Sequence, residues 1–123
     1  MLDHVTLGVT DFSRARAFYA AALAPLGIVE MAGDGTAYAG FGEGQSPYFW
    51  IGPKAGPLSG VHIAFAAADR ATVDRFHAAA LAAGGRDNGA PGLRPQYHPD
   101  YYGAFVLDPD GHNIEAVCHK PQG

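Results

Sequence analysis

The chain contains a single cysteine, Cys118, among its 123 residues. One thiol cannot form a disulfide within the chain, so we expect a protein of the reducing, cytoplasmic compartment. Basic residues are also few, since eight Lys and Arg stand against twelve Asp and Glu and leave a formal charge of −4. Nucleic-acid binders depend on cations that meet phosphates, so this balance indicates no nucleic-acid partner.

Long apolar runs are missing as well. No segment approaches the roughly 20 apolar residues that cross a bilayer, and no signal peptide precedes the first amphipathic strand, so we expect no membrane partner. Apolar residues nevertheless make up 48% of the chain and charged residues only 16%. That composition can supply a hydrophobic core, and the length predicts a single domain over residues 1–123.

An internal repeat organises this domain. Residues 4–8 (HVTLG) resemble residues 62–66 (HIAFA), which is an offset of 58 positions. The same offset, without a gap, places Asp11 on Asp69, Phe18 on Phe76 and Gly27 on Gly85. We therefore predict two similar modules, at about 1–54 and 58–119, joined by the Gly- and Pro-rich segment 52–57.

Each module is predicted to contain a strand, a helix and three more strands. Asp11 and Asp69 are the expected helix N-caps, because a short carboxylate accepts hydrogen bonds from the free N–H groups of the first turn. The later strands are expected at about 28–32, 36–41 and 47–51, and at about 85–87, 101–107 and 112–118. Residues 88–100 are expected to form a long loop, and His112 and His119 to be exposed.

The alternation of side chains along the strands points to a metal site. In the first and fifth strands the apolar residues pack under the helices, so His4, Thr6 and His62 point to the uncovered face. Glu115 falls on the same face of the last strand. Two imidazoles and one carboxylate are a common ligand set for a divalent metal, whereas a lone His on a strand is more often a structural residue.

Four stretches of the sequence together resemble the vicinal oxygen chelate superfamily, which includes glyoxalase I, extradiol dioxygenases and bleomycin-binding proteins. They are His4-Val-Thr-Leu-Gly-Val-x-Asp, Phe18-Tyr19, Gly60-Val-His62-Ile-Ala-Phe and Phe105-Val-Leu-Asp108-Pro-Asp-Gly111-His-Asn-Ile-Glu115. The resemblance implies an α+β fold in which two βαβββ modules form a half-open barrel. It also implies a divalent metal (Fe, Mn, Ni, Co or Zn) on His4, His62 and Glu115, and often a homodimer.

The resemblance leaves the reaction open between glyoxalase-like lyase or isomerase chemistry and small extradiol-type dioxygenase chemistry. In both, a small oxygenated organic substrate binds the metal through two neighbouring oxygens. The fourth strand, SPYFWI at 46–51, offers no carboxylate or amide ligand, which weakens an assignment as glyoxalase I. The alternative is a metal-free protein of the bleomycin-resistance kind that binds and sequesters a small molecule.

Further candidates for the site lie mainly in the segment 93–102, which combines a guanidinium, an imidazole and three phenols. We expect His98 and Tyr101 to be catalytic. The expected substrate contacts are Thr6, Trp50, Arg94, Tyr97 and Tyr102. Arg94 is suited to a carboxylate or phosphate, and a long loop of this composition is more often functional than neutral.

Overall fold

The computed structural model describes residues 3–53 and 61–121. Its elements are β1 (Val5–Val9), α1 (Phe12–Leu23) with a following 3₁₀ turn (Ala24–Leu26), β2 (Val29–Gly33), β3 (Ala39–Glu43), β4 (Ser46–Pro53), β5 (His62–Ala66), α2 (Arg70–Ala82), β6 (Arg86–Leu93), β7 (Tyr102–Leu107) and β8 (Asn113–Cys118). Most of the predicted connecting segment, from residue 54 onward, lies outside the described residues.

The strands form two four-stranded mixed sheets, in the orders β1-β4-β3-β2 and β5-β8-β7-β6. In each sheet the first strand of the module pairs in parallel with the last, and the other neighbours are antiparallel. The two sheets thus have the same topology. The predicted fold class, a pair of βαβββ modules, is confirmed.

Both helices begin at the predicted caps. Asp11 Oδ1 accepts the backbone N–H of Arg14 at 3.1 Å, and Asp69 Oδ1 accepts the backbone N–H of Thr72 at 2.8 Å. The Asp69 carboxylate also accepts the Thr72 hydroxyl, and these two bonds lower the pKa of Asp69. Among the described residues, no helix has both the length and the apolar character that a membrane span requires.

One hydrophobic core joins the modules. The helices contact each other, and each also packs on its own sheet. Phe49 of β4 and Phe65 of β5 meet edge to face at 5.3 Å between ring centroids. Because both helices cover the same side, the uncovered faces of both sheets open on the opposite side.

Two expectations about the second module are wrong. The sixth strand continues to Leu93, because register shifts around Gly89 and Gly92 let a Gly-rich segment stay paired with β7. Gly89 has a φ of +154°, which other residues rarely adopt. His112 is not exposed: only 2% of its surface is accessible, and its Nε2 lies 3.2 Å from the carbonyl oxygen of Gly8.

The third strand also begins later than predicted, at Ala39. Asp34 Oδ1 accepts the backbone N–H groups of residues 36, 37 and 38 at 2.9, 2.8 and 3.0 Å. These amides are therefore occupied in a turn and cannot enter the sheet. The same three bonds lower the pKa of Asp34.

Candidate functional site

His62 and Glu115 meet on the uncovered face of the second sheet. The parallel register of β5 and β8 sets His62 opposite Asn113 and Ala64 opposite Glu115, so the two side chains are diagonal neighbours. His62 Nε2 donates to Glu115 Oε1 at 2.9 Å. The imidazole is 48% exposed while the carboxylate side chain is 1% exposed. A buried carboxylate thus lies against a half-exposed imidazole.

Tyr101 is the second partner of this carboxylate. Its hydroxyl donates to Glu115 Oε2 through a short hydrogen bond. The pKa of Tyr101 is raised, first by burial and then by the hydrogen bond to Glu115 and the negative charge of that carboxylate. The phenol therefore stays protonated and acts as a donor. Both Glu115 oxygens are therefore oriented by side chains of this face.

Gly103 lets the Tyr101 ring and the Glu115 carboxylate come close to each other. It is not among the site residues that the sequence predicts. A Cβ at position 103 would lie 3.1 Å from the Tyr101 ring and 3.3 Å from Glu115 Oε2. Glycine within a strand often marks such a close approach, and this was the available signal.

The spacing of His62 and Glu115 suits two ligands of one metal ion. Ligand atoms about 2.1 Å from an ion and at right angles to each other are about 3 Å apart, close to the 2.9 Å observed between Nε2 and Oε1. Carboxylates that bind a metal commonly accept a hydrogen bond on the oxygen that does not bind it, as Glu115 Oε2 accepts one from Tyr101. The donor chemistry and spacing of this pair therefore fit a divalent metal.

His4, the third expected ligand, is not part of this pair. It lies at the start of β1, where its Nδ1 is 2.7 Å from Asp3 Oδ1 and its side chain is 56% exposed. Within residues 3–53 and 61–121, no group of three His, Cys, Asp or Glu side chains is placed to hold a metal ion. His4 instead borders a small cleft of about 180 Å³ between β1 and β5, whose walls include Tyr48 and Ile63.

His98 and Tyr97 lie beside Tyr101 rather than against Glu115. The Tyr97 ring meets the Tyr101 ring at 5.2 Å, and Tyr101 meets His119 at the same centroid distance. His98 contacts His119 at 5.7 Å, and its Nδ1 accepts the backbone N–H of Asp100 at 3.2 Å. His119 is exposed, as predicted.

Arg94 lies on the same face, with its guanidinium 5.5 Å from the Phe105 ring centroid. Phe105 is directly opposite Glu115 in the β7–β8 register, and its ring lies 6.1 Å from that of His62. Phe105 is not among the site residues that the sequence predicts. Its ring nevertheless lies close to both the Arg94 guanidinium and the His62 imidazole.

Tyr102 is turned away from this face. Its hydroxyl donates to Asp74 Oδ1 on α2 at 2.7 Å, and the Arg70 guanidinium lies over its ring. Both contacts are on the side of the sheet that the helix covers. The structure therefore does not bring Tyr102 together with the other expected substrate contacts.

Thr6 and Trp50 face each other across β1 and β4 of the first sheet. Thr6 is the repeat equivalent of Ala64, the residue opposite Glu115, so Trp50 occupies in the first module the position that Glu115 has in the second. The indole lies against the backbone of Gly40, where a Cβ would be 2.9 Å from three ring atoms. The first module thus has an aromatic side chain where the second module has the Glu115 carboxylate.

Comparisons with known proteins agree with this architecture. Residues 1–116 match the family described as the Glyoxalase/Bleomycin resistance protein/Dioxygenase superfamily. A glyoxalase/bleomycin resistance protein from Albidiferax ferrireducens T118 is similar in structure, with 33% identity, a TM-score of 0.80 and coverage of 98% of this chain and 99% of that one.

More distant solved structures share the fold. A glyoxalase/bleomycin resistance protein/dioxygenase family enzyme from Burkholderia phytofirmans PsJN is 21% identical, with a TM-score of 0.73 and coverage of 96% and 98% of the two chains. A lactoylglutathione lyase from Agrobacterium tumefaciens is 19% identical, with a TM-score of 0.69 and coverage of 96% and 92%. No curated protein matches the sequence. The chain belongs to the glyoxalase/bleomycin resistance protein/dioxygenase superfamily.

Proposed function

We propose that the protein is a metal-dependent enzyme that acts on a small oxygenated organic substrate, with His62 and Glu115 as metal ligands. The observation that carries this proposal is a carboxylate side chain only 1% exposed that lies 2.9 Å from an imidazole that is 48% exposed. Burying a carboxylate is costly unless a cation or several donors compensate its charge. A divalent ion on this pair compensates it.

His4 is the proposed third ligand. Its Nδ1 is occupied by Asp3, whereas its Nε2 has no hydrogen-bond partner among the described residues. A divalent ion held by His4, His62 and Glu115 would stabilise negative charge on two neighbouring substrate oxygens. Tyr101 orients Glu115 toward the ion, and Thr6 and Tyr97 border the open face on which the substrate lies.

Of the two reaction classes, we favour extradiol-type dioxygenase chemistry over that of glyoxalase-like lyases and isomerases. Trp50 stands at the position in the first module that corresponds to Glu115, so that module supplies no second carboxylate ligand. Two imidazoles and one carboxylate with the remaining positions open are the ligand set typical of non-haem Fe(II) oxygenases. His98 and Tyr101 are the proposed acid–base groups, with His119 between them.

A homodimer is part of the proposal. Val29, Met31 and Tyr38 of the first module are 54%, 37% and 48% exposed. Val29 and Met31 belong to β2, an edge strand of the first sheet, and exposed apolar side chains on an edge strand favour a surface that another molecule covers. Light scattering after size-exclusion chromatography tests this directly, with twice the chain mass of 12.8 kDa as the expected result.

One observation favours a second candidate function, a metal-free protein that sequesters a small molecule. His62, Glu115 and Tyr101 already satisfy one another through two hydrogen bonds, and His4 is paired with Asp3. Side chains whose hydrogen bonds are already satisfied in this way do not require a metal ion. The two candidates therefore differ in whether the site retains metal.

Metal content separates them. The purified chain is loaded in turn with Fe(II), Mn, Ni, Co and Zn, desalted, and measured by inductively coupled plasma mass spectrometry. We expect close to one ion per chain for at least one metal, and loss of that ion in His62→Ala. His77→Ala is the matched control, because His77 lies on α2, which covers the opposite face of the sheet, and is bonded to Asp87. Traces alone in the wild type, for all five metals, would contradict the metal proposal and favour the metal-free alternative.

A further inference from the structure

Arg94 is a partly buried cation without an anionic partner. Among the described residues, no carboxylate lies within 4.0 Å of its guanidinium. Its one hydrogen bond within this part of the chain is from Nη2 to the carbonyl oxygen of Ala90, at 2.8 Å. In a chain with a formal charge of −4, a guanidinium with no carboxylate within 4.0 Å in the described part of the chain is available for an anion from solution.

The position of this guanidinium is fixed by its surroundings. The Phe105 ring supports it at 5.5 Å, and the Ala90 carbonyl holds one end. Gly89 and Gly92 provide the space, because a Cβ on either would lie 3.2 or 3.1 Å from a guanidinium nitrogen. A cation held in place loses little conformational entropy when it binds a ligand.

The guanidinium lines a cavity of about 360 Å³, whose walls are Asn88, Gly89, Arg94, Tyr97, Phe105 and Asn113. Asn88 Nδ2 donates to Asn113 Oδ1 at 3.2 Å, which leaves the amide N–H₂ of Asn113 as a further donor. Neither amide carries a charge that would repel an anion. The cavity thus combines one cation, neutral hydrogen-bond donors and an aromatic surface.

This cavity adjoins the candidate metal site through Phe105. The Phe105 ring lies 6.1 Å from the His62 ring and 5.5 Å from the Arg94 guanidinium. A molecule that lies on Phe105 is therefore within reach of both the guanidinium and the His62–Glu115 pair.

We propose that this cavity binds the anionic group of the substrate, and that the substrate class is a small organic acid, a carboxylate or a phosphate. Its charged group binds Arg94 and Asn113, its planar or apolar part lies on Phe105, and its oxygens point to His62. The inference rests on the proposed function for what happens at that second end, but anion binding itself needs no metal.

The test uses the full chain after removal of metal with EDTA. Benzoate, phenyl phosphate and the neutral isostere benzamide are titrated while the amide signals of Gly89 and Gly92 are followed by ¹⁵N NMR. We expect at least one of the two anions to bind about tenfold or more tightly than benzamide, because charge-assisted bonds to guanidinium are among the stronger hydrogen bonds. A comparison of the affinities for benzoate and phenyl phosphate shows whether the cavity prefers a carboxylate or a phosphate.

Variants test whether Arg94 is the source of the preference for anions. Arg94→Gln should bind the anions no more tightly than benzamide, whereas Arg86→Gln, an exposed arginine at the start of the same strand, should bind them as the wild type does. Asn88→Asp leaves Arg94 intact and places a negative charge in the cavity wall, so it should also weaken anion binding. If benzoate and phenyl phosphate bind no better than benzamide to the wild type, or equally well to Arg94→Gln, the proposal is wrong.

The experiments distinguish a failure of the anion-binding proposal from a failure of the metal proposal. His62→Ala should lose metal and keep anion binding, and Arg94→Gln should lose anion binding and keep metal. A protein that retains metal but shows no preference for anions would contradict only the substrate class.

Discussion

The Tyr19 hydroxyl donates to Asp108 Oδ2 at 2.6 Å across the boundary between the two modules, and both groups are buried. Tyr19 lies on α1, and Asp108 begins the turn between β7 and β8. Asp108 Oδ1 meanwhile accepts the backbone N–H groups of Asp110 and His112 at 2.9 and 2.8 Å. The turn that precedes the Glu115 strand is therefore fixed to the helix of the other module.

Removing this hydroxyl should destabilise the whole domain. In Tyr19→Phe, Asp108 Oδ2 is left buried without its donor, and such a loss costs about 1–3 kcal/mol of the free energy of unfolding. Urea denaturation followed by circular dichroism measures the change. Tyr38→Phe, at a residue 48% exposed, is the control and should change stability little. Equal stability of the two variants would contradict this role for the bond.

The same bond predicts a loss of stability in alkali. Burial, and then the charge of Asp108 and the hydrogen bond to it, raise the pKa of Tyr19 well above its usual value. The unfolded chain therefore releases the Tyr19 proton at a lower pH than the folded chain, and stability falls as pH rises above about 10. Urea denaturation at pH 9 and at pH 11 measures the free energy of unfolding. Between these pH values it should decrease less for Tyr19→Phe than for the wild type. An unchanged decrease would exclude Tyr19 as its source.

Gly40 should control the position of Trp50. A Cβ in Gly40→Ala would lie 2.9 Å from three atoms of the indole, so the ring must move. Because Trp50 is the only tryptophan, the shift of its fluorescence maximum reports this movement directly. Gly84→Ala is the control, since its φ of +97° makes the substitution strained although no atom lies within 4 Å of the new Cβ. It should lower stability and leave the emission maximum unchanged.

Tyr101 should support metal binding without being a ligand. Tyr101→Phe removes the donor to Glu115 Oε2, and loss of such a support typically weakens metal affinity by about 10- to 100-fold. Competition with a chelating dye measures the affinity. Tyr97→Phe removes a hydroxyl from the adjacent ring, which is 63% exposed, and should leave the affinity within about twofold. An equal effect of both variants would contradict the specific role of Tyr101.

The repeat and the strand period account for what the sequence predicted well. The offset of 58 positions revealed two like modules, and the period of two placed His62 and Glu115 on one face, where the structure brings them together. Their role as metal ligands stays a prediction. The same period also accounts for the opposite directions of Tyr101 and Tyr102, whose hydroxyls bond Glu115 and Asp74, because consecutive residues of an extended chain point to opposite sides.

The remaining features depend on contacts that no local pattern contains. Gly89 and Gly92 suggested a loop, yet bulges absorb them and extend β6 to Leu93. His112 was expected in solvent, but the turn docks on β1 and buries it against Gly8. The placement of Arg94 over Phe105 likewise follows from how that strand pairs with β7, which the sequence alone does not determine.

The most direct test of the central claim is anomalous X-ray diffraction from crystals of the metal-loaded protein, with data collected on both sides of the metal's absorption edge. We expect a single anomalous peak about 2.0–2.3 Å from both His62 Nε2 and Glu115 Oε1. A loaded crystal with its peak elsewhere, or with none and with the 2.9 Å hydrogen bond between these two atoms intact, would contradict it.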